Sequence, residues 1–251
     1  MLRLWPETTI LGLFPGGCTL RRGTTIRSRE CTKDADGAHL LTVIRSMLEE
    51  MKPFRRAGRT EVYVSDSLAR IALLPWQSKL NSPEQVSAYG QACLEQYGVM
   101  SSGEWATHAG FRQYGAMGMA VALPAAFVRQ LAEVIAEAGL RLCCVMPVST
   151  AAYWYFASDR GANTSLVWLQ EEGRLTALTY GRGKLLSLDV EPVLKQGGAA
   201  QLRLVNRIKL SNTSPSQISY WSVPGTAIDA AFLNGQFESA VITNVEGRRW
   251  T

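Results

Sequence analysis

The chain has 251 residues, is 47% hydrophobic and 19% charged, and carries a formal net charge of +5. That composition is ordinary for a globular protein with a large core, and it excludes a disordered or low-complexity chain. No run of about 18 apolar residues occurs, so no membrane-spanning helix is expected.

Thr8 to Phe14 reads as a first strand and Cys18 to Arg22 as its return. Pro15-Gly16-Gly17 between them supplies a turn with free φ at the glycines. Ile10 to Phe14 is too short for the apolar core of a signal peptide, and none is expected. Gly23 to Asp36 is polar and charged, so an exposed loop is expected there. A helix then runs from Asp36 to about Lys52, because Leu40, Ile44, Met47, Leu48 and Met51 share one face. Arg55 to Thr60 forms a basic connector. The positive excess gathers in two places, Arg21 to Lys33 and Lys52 to Arg59. Solvated loops explain such scatter; an anionic membrane face or acidic partner is the sharper reading.

Val62 to Trp76 (VYVSDSLARIALLPW) is the stretch around which the rest is organised. It reads as two strands joined by a tight Ser65-Asp66-Ser67 turn. The apolar run Ile71 to Leu74 suits a strand buried on both faces, and Pro75 stops the ladder. Asp66 is expected to bond its own turn backbone rather than to pair with Arg70. Ser82, Pro83 and Gln85 then mark a helix start with a capping box. Val86, Tyr89, Cys93 and Tyr97 form its stripe, and Gly98 ends it. Two strands follow, Glu104 to Phe111 and Gly118 to Leu123. A helix opens at Pro124 and ends at Gly139, with Phe127, Leu131, Val134 and Ala138 on one face. Leu140 to Met146 is nearly all apolar and is expected as a central strand. Ser149 to Phe156 reads as a short aromatic helix.

Ser158 to Thr164 is a polar linker. A three-strand meander follows at 165–170, 174–180 and 184–190, turning at Glu171-Glu172-Gly173 and Gly181-Arg182-Gly183. A helix over Ala199 to Lys209, a strand over Gln217 to Ser222, one or two helical turns from Thr226 to Leu233 and a strand over Ser239 to Thr243 complete the chain. Each half thus opens with antiparallel strands and continues into helix and strand alternation, which points to a duplicated α/β fold.

Little catalytic chemistry stands out. The two histidines, His39 and His108, are too few and too isolated for a metal site or a triad. His108, beside Trp105 and Phe111, reads as a structural histidine. The five cysteines include no CxxC pair, and reduced, buried thiols of a cytosolic protein are expected, Cys143-Cys144 among them. The aromatic residues fall mainly on apolar positions, which favours core packing over stacking on nucleic acid. Tyr153, Trp154, Tyr155 and Phe156 cannot all face inward on one helix, so part of that cluster is expected to anchor a partner.

The opening hairpin, the VYVSDSLARIALLPW block, the LRLCCVMPVSTAAYW segment and the LVWLQEEGRLTALTYGRGKLLSLDV strands resemble one family. It is that of PilM and the cytoplasmic part of the L protein, the actin-like proteins of type IV pilus and type II secretion machines. Ser65, Asp66, Arg70, Pro75 and Trp76 match its S-D-x-x-x-R-x-x-x-x-P-W block. The resemblance implies an actin-like, ribonuclease-H-like fold of duplicated α/β domains with mixed sheets. A first lobe is expected over 1–157, with an inserted subdomain at about 77–123, and a second, reduced lobe over 164–251. Nucleotide-binding relatives carry D-x-G at both opening hairpins. The first hairpin here has no aspartate, and the second offers only Glu171-x-Gly173. Gly16, Gly17, Glu171 and Gly173 are the nucleotide candidates, with Asp189 as another stand-in for the missing acid and Gly197-Gly198 as a place for an adenosine to approach. Lost phosphate contacts imply a non-catalytic scaffold with no cofactor and no metal; a divergent ATPase binding ATP is the alternative. The implied partner is the cytoplasmic segment of a PilN-like inner-membrane platform protein, with the assembly ATPase as a further one. No nucleic acid is implied, and membrane contact is indirect, at the cytoplasmic face. Arg55, Arg56, Tyr153 and Tyr155 are the expected partner contacts.

Overall fold

A computed structural model describes residues 8–31, 37–51, 58–96, 105–155, 164–193, 198–211, 214–223, 226 and 230–245. In chain order the first strands are β1 (Thr8–Phe14), β2 (Gly17–Arg22) and β3 (Thr25–Glu30), followed by α1 (Gly37–Glu50) and β4 (Arg59–Val64). After β4 a single 3-10 turn over Asp66–Leu68 leads to β5 (Arg70–Leu74) and α2 (Pro83–Gln96). Next come β6 (Trp105–Gly110), β7 (Gly118–Pro124), α3 (Ala125–Glu137), β8 (Arg141–Pro147) and α4 (Val148–Tyr155). The chain continues through β9 (Thr164–Glu171), β10 (Arg174–Gly181), β11 (Lys184–Pro192) and α5 (Ala199–Leu210). It closes with β12 (Gln217–Ser222), α6 (Ala230–Gln236) and β13 (Val241–Asn244).

The two halves repeat one topology. The first sheet has the order β3-β2-β1-β4-β8 and the second β11-β10-β9-β12-β13. In each, three antiparallel strands are followed by two parallel ones. A third sheet, β5-β7-β6, is fully antiparallel and lies between β4 and β8 in the chain. It includes β5, upstream of residue 77.

Among the described residues four apolar cores hold these layers, the smallest packing Cys93 and Leu94 of α2 on Ala72, Leu74, Ala120 and Ala122 of the third sheet. The first joins Leu11, Leu13 and Leu20 of the first sheet to Leu40, Ile44 and Leu48 of α1 and Leu131 and Ile135 of α3. The same architecture in the second half packs Leu166, Trp168 and Ile218 under Leu204 and Ile208 of α5. The middle core joins the halves: Phe14 and Tyr63 meet Val148, Ala152 and Tyr153 of α4 and Val167, Leu178 and Trp221 of the second sheet. Each such side chain contributes roughly 1.5–3 kcal/mol on leaving water, so the halves are joined by apolar burial.

Several expectations need correction. The two strands of the central block are joined by a tight turn as expected, but they belong to different sheets: β4 pairs with β1 and β8, and β5 pairs with β7. β5 is an edge strand of the third sheet, yet both its faces are covered as expected: Ala72 and Leu74 pack against α2, and Ile71 and Leu73 pack against the other cores. β8, expected to be central, is also an edge; Arg141 and Cys143 face outward, and Arg59 Nε donates to Cys143 Sγ at 3.4 Å. The segment expected as a loop at 23–36 contains β3, whose polar residues suit an exposed edge. Its Arg29 bonds Ser46 Oγ at 2.8 Å and Glu50 at 2.5 Å on α1. His108 is exposed rather than structural.

The capping box on α2 is present in altered form. Gln85 N–H donates to Ser82 Oγ at 3.3 Å, while Gln85 Oε1 accepts from Asn81 N–H at 2.7 Å. The buried face of α2 is Gly90, Cys93 and Leu94; Val86 and Tyr89 are half-buried, and Tyr97 lies outside the described residues. A Cβ on Gly90 would lie 2.3 Å from Ala109 Cβ. Gly90→Ala is therefore expected to cost about 1–2 kcal/mol by overpacking, despite the better helix propensity of alanine. Gly235→Ala on α6, where nothing lies within 4 Å, is expected to gain up to about 1 kcal/mol instead. Thermal melts of the two variants read these opposite signs.

Candidate functional site

The duplicated topology places two hairpin turns opposite each other. β1 and β2 turn through Pro15-Gly16, with Gly16 at φ +85. β9 and β10 turn through Glu172-Gly173, with Gly173 at φ +76. Both glycines adopt conformations that a side chain disfavours. A Cβ on Gly16 would lie 2.6 Å from Glu172 Oε2, so a carboxylate stands directly against the first turn. Behind the turns, Phe14 packs on Trp221 with ring centroids 5.6 Å apart.

Beneath the hairpins lies a buried polar cluster. Asp66 is 0% exposed and Glu171 4%. The Asp66 N–H donates to both Glu171 oxygens at 3.2 Å. Asp66 Oδ1 accepts from the Ser149 N–H at 3.1 Å and the Ser149 hydroxyl at 3.0 Å, at the start of α4. Asp66 Oδ2 has no hydrogen-bond partner among the described residues. Arg174 Nη1 donates to the Asp66 carbonyl at 3.4 Å. Burial raises the Asp66 pKa above the usual carboxylate range, and the opposing Arg174 charge and Ser149 bonds do not cancel it. Burial, and then the neighbouring Asp66 charge, push Glu171 up to about 8.

Asp66 thus has a different role from the one its sequence context implies. It does not close its own turn. Ser65 does that, its Oγ accepting from Ser67 N–H at 3.1 Å. Arg70 does not pair with it either; its guanidinium lies 5.8 Å from the Trp105 ring centroid. The cation near Asp66 is Arg174, from the other half of the chain.

For a nucleotide phosphate the first turn offers a carboxylate where a donor would serve. A phosphate needs free N–H donors and positive charge. The Asp66 N–H is already bonded to Glu171, and the Gly16 turn faces the Glu172 carboxylate. Asp189 lies within β11, where it accepts from Ser187 Oγ at 2.8 Å. Gly198 precedes α5 without a side-chain cap, and Gly197 lies outside the described residues. Among the described residues, no group of three or more His, Cys, Asp or Glu is placed to hold a metal ion.

The partner contacts fare unevenly. Arg55 and Arg56 lie outside the described residues. Tyr153 is corrected: it is 2% exposed, and so unavailable to a partner. Its hydroxyl accepts from Arg112 N–H at 2.8 Å and donates to the Met117 carbonyl at 3.3 Å, pinning the β6–β7 connection onto α4. Tyr155 is 39% exposed.

Sequence reasoning missed an aromatic groove of about 730 Å³ between the start of α2 and β6. Trp76 meets Phe111 edge-on at 5.0 Å and Tyr114 at 4.8 Å, and Tyr114 is 82% exposed. Pro75-Trp76, directly after β5, was the available signal.

No protein-family model and no curated protein matches the sequence. Solved structures do match. One is a protein of actin-like ATPase fold and unknown function from Bacteroides thetaiotaomicron. It is 13% identical, with a TM-score of 0.64 over 97% of this chain and 94% of that one. Another is a PilM-PilN type IV pilus biogenesis complex, 15% identical, TM-score 0.63, covering 95% and 88%. A third is the cytoplasmic domain of EpsL, an inner-membrane component of the Vibrio cholerae type II secretion system. It is 9% identical, TM-score 0.54, covering 89% and 86%. The fold is actin-like, with duplicated α/β halves and mixed sheets.

Proposed function

We propose that this chain is a non-catalytic, actin-like scaffold on the cytoplasmic side of an inner-membrane assembly platform, of type IV pilus or type II secretion type. Its first lobe, 1–157, and second lobe, 164–251, are held together rather than hinged around a nucleotide. It binds the cytoplasmic segment of a membrane-anchored, PilN-like partner and, through that assembly, the ATPase.

The observation that carries this reading is the pair of carboxylates set between the hairpins. Glu172 stands against Gly16, and Glu171 takes the Asp66 N–H. Burial pushes the Glu171 carboxyl up, which makes it a weaker ligand for a divalent cation than an ordinary carboxylate. The fold shared with a PilM-PilN complex and an EpsL domain supports the partner class. No helix among the described residues is long and apolar enough to cross a membrane, so placement through a partner is consistent with the chain. The proposed contacts are Arg55, Arg56, Tyr155 and the Trp76–Tyr114 groove, whose aromatic lining suits an extended peptide.

Thermal melting with millimolar Mg-ATP is expected to show no shift, because a ligand that binds only the native state raises the midpoint. Co-expression with an inner-membrane platform protein is expected to bring the chain into the membrane fraction, and reversing Arg55 and Arg56 to Glu to reduce its recovery there. A clear upward shift with Mg-ATP would favour the ATPase alternative. A chain that stays out of the membrane fraction with every platform protein tried sinks the scaffold reading.

A further inference from the structure

We propose that Cys18 and Cys31 form a reversible disulfide, which makes the base of the first hairpin an oxidation site for a peroxide-class oxidant. The two sulfurs lie 3.5 Å apart, and both thiols are free. Cys18 lies on β2, 0% exposed, in the core with Leu11, Leu20 and Leu40. Cys31 directly follows β3 and is half-buried. In the β2–β3 ladder Cys18 is opposite Arg29, and Cys31 N–H donates to the Gly16 carbonyl at 3.0 Å. Cys31 therefore stands diagonally across from Cys18 on the same face. The sulfurs need to close to about 2 Å, a short movement at a strand end. The other cysteines are placed differently: Cys93 lies on α2, and Cys143 and Cys144 are neighbours along β8 that point to opposite faces.

The two thiols divide the work. Burial keeps Cys18 protonated, far above the ordinary thiol range. Cys31 has solvent access and meets the oxidant first. Its thiolate attacks hydrogen peroxide: an S–O bond forms, the O–O bond breaks, and the departing hydroxide takes a proton to become water. Cys31 is then a sulfenic acid. The Cys18 sulfur gives up its proton and attacks the Cys31 sulfur; the S–S bond forms, the S–O bond breaks and a second water leaves. Two thiols lose two electrons and two protons, and peroxide becomes two waters.

The bridge ties the segment leaving β3 to the hairpin whose turn faces Glu172. Cys31 stands at a strand end with solvent access, so a reductant reaches the bond, which suits a reversible modification. The inference needs no partner and stands apart from the scaffold reading.

The test uses the full chain, purified reduced, exposed to hydrogen peroxide and then alkylated. The expected result is three alkyl adducts on the chain where the reduced protein takes five, with all five restored when dithiothreitol precedes alkylation. A linked peptide pair containing Cys18 and Cys31 should appear, together with a higher melting temperature. Cys31→Ser abolishes the link, and Cys143→Ser leaves it intact. Three outcomes each overturn the proposal: Cys31 oxidised to sulfinic acid while Cys18 stays open to alkylation, dimers linked through Cys143, or no reaction at either thiol.

Discussion

Asp66→Ala is expected to destabilise the protein by about 3 kcal/mol, and Asp66→Asn by under about a third of that. The difference comes from what Asp66 Oδ1 accepts. Ser149 is 0% exposed, and both its N–H and its hydroxyl donate to that one oxygen. Alanine leaves two buried donors without a partner, at about 1–3 kcal/mol each, partly relieved if water enters the void. Asparagine keeps a carbonyl oxygen in place and removes a charge that burial already disfavours. The Ser149 N–H belongs to the first turn of α4, so the same change removes an acceptor from a helix start. For a chain of this size the alanine loss corresponds to a fall in melting temperature on the order of 10 °C. Urea midpoints measure both variants. Equal losses for alanine and asparagine would show that the carboxylate charge, and not the acceptor, is what the site needs.

Much of the architecture was legible because local signals agreed. β1, β12 and the meander of β9, β10 and β11 were readable from apolar alternation bounded by glycine turns. α3 was readable from Phe127, Leu131 and Val134 on one face, and from Gly139, which ends it at φ +76. Failures came where a strand's neighbours had to be known. The runs in β5 and β8 are apolar enough for central strands, yet both are edges, because cores pack on both faces of strands that have a ladder neighbour on one side only. Apolar content reports burial of a face, not position in a ladder.

The candidate site was half legible. Glu171 stands out in the sequence as the acid in an acid-x-Gly turn, and in the fold it accepts from the Asp66 N–H within the buried cluster. Asp66 looked like a turn residue because Ser65-Asp66-Ser67 is turn chemistry, and the turn exists. Its true partners, Ser149 and Arg174, are 83 and 108 residues away, and no local pattern carries that distance. Tyr153 and Tyr155 show the same limit. Helix geometry predicts that some of four consecutive aromatics face outward, but only packing against Arg112 and Met117 decides which.

Glu171→Gln is expected to remove a fall in stability that the native chain undergoes as pH rises from about 5 to 9. The carboxyl goes from an ordinary 4.5 to about 8 on folding, because it is buried and lies beside Asp66. Between those values the folded chain holds a proton that the unfolded chain has released. The unfolded state binds fewer protons, so stability declines with rising pH, by up to about 1.4 kcal/mol per unit. The contribution is fully present below 4.5 and is lost as pH passes through about 8. Asp66 is raised as well, which adds to the slope in the same direction from its acid end. Glutamine mimics the protonated acid, and its carbonyl still accepts from the Asp66 N–H. The variant should match the native chain near pH 5 and exceed it by a few kcal/mol at pH 9, as read from urea midpoints at each pH. Parallel curves would mean that Glu171 is ionised in the fold. A charged carboxyl beside Asp66 is what a divalent cation requires, so the nucleotide-binding alternative would then gain what the scaffold reading loses.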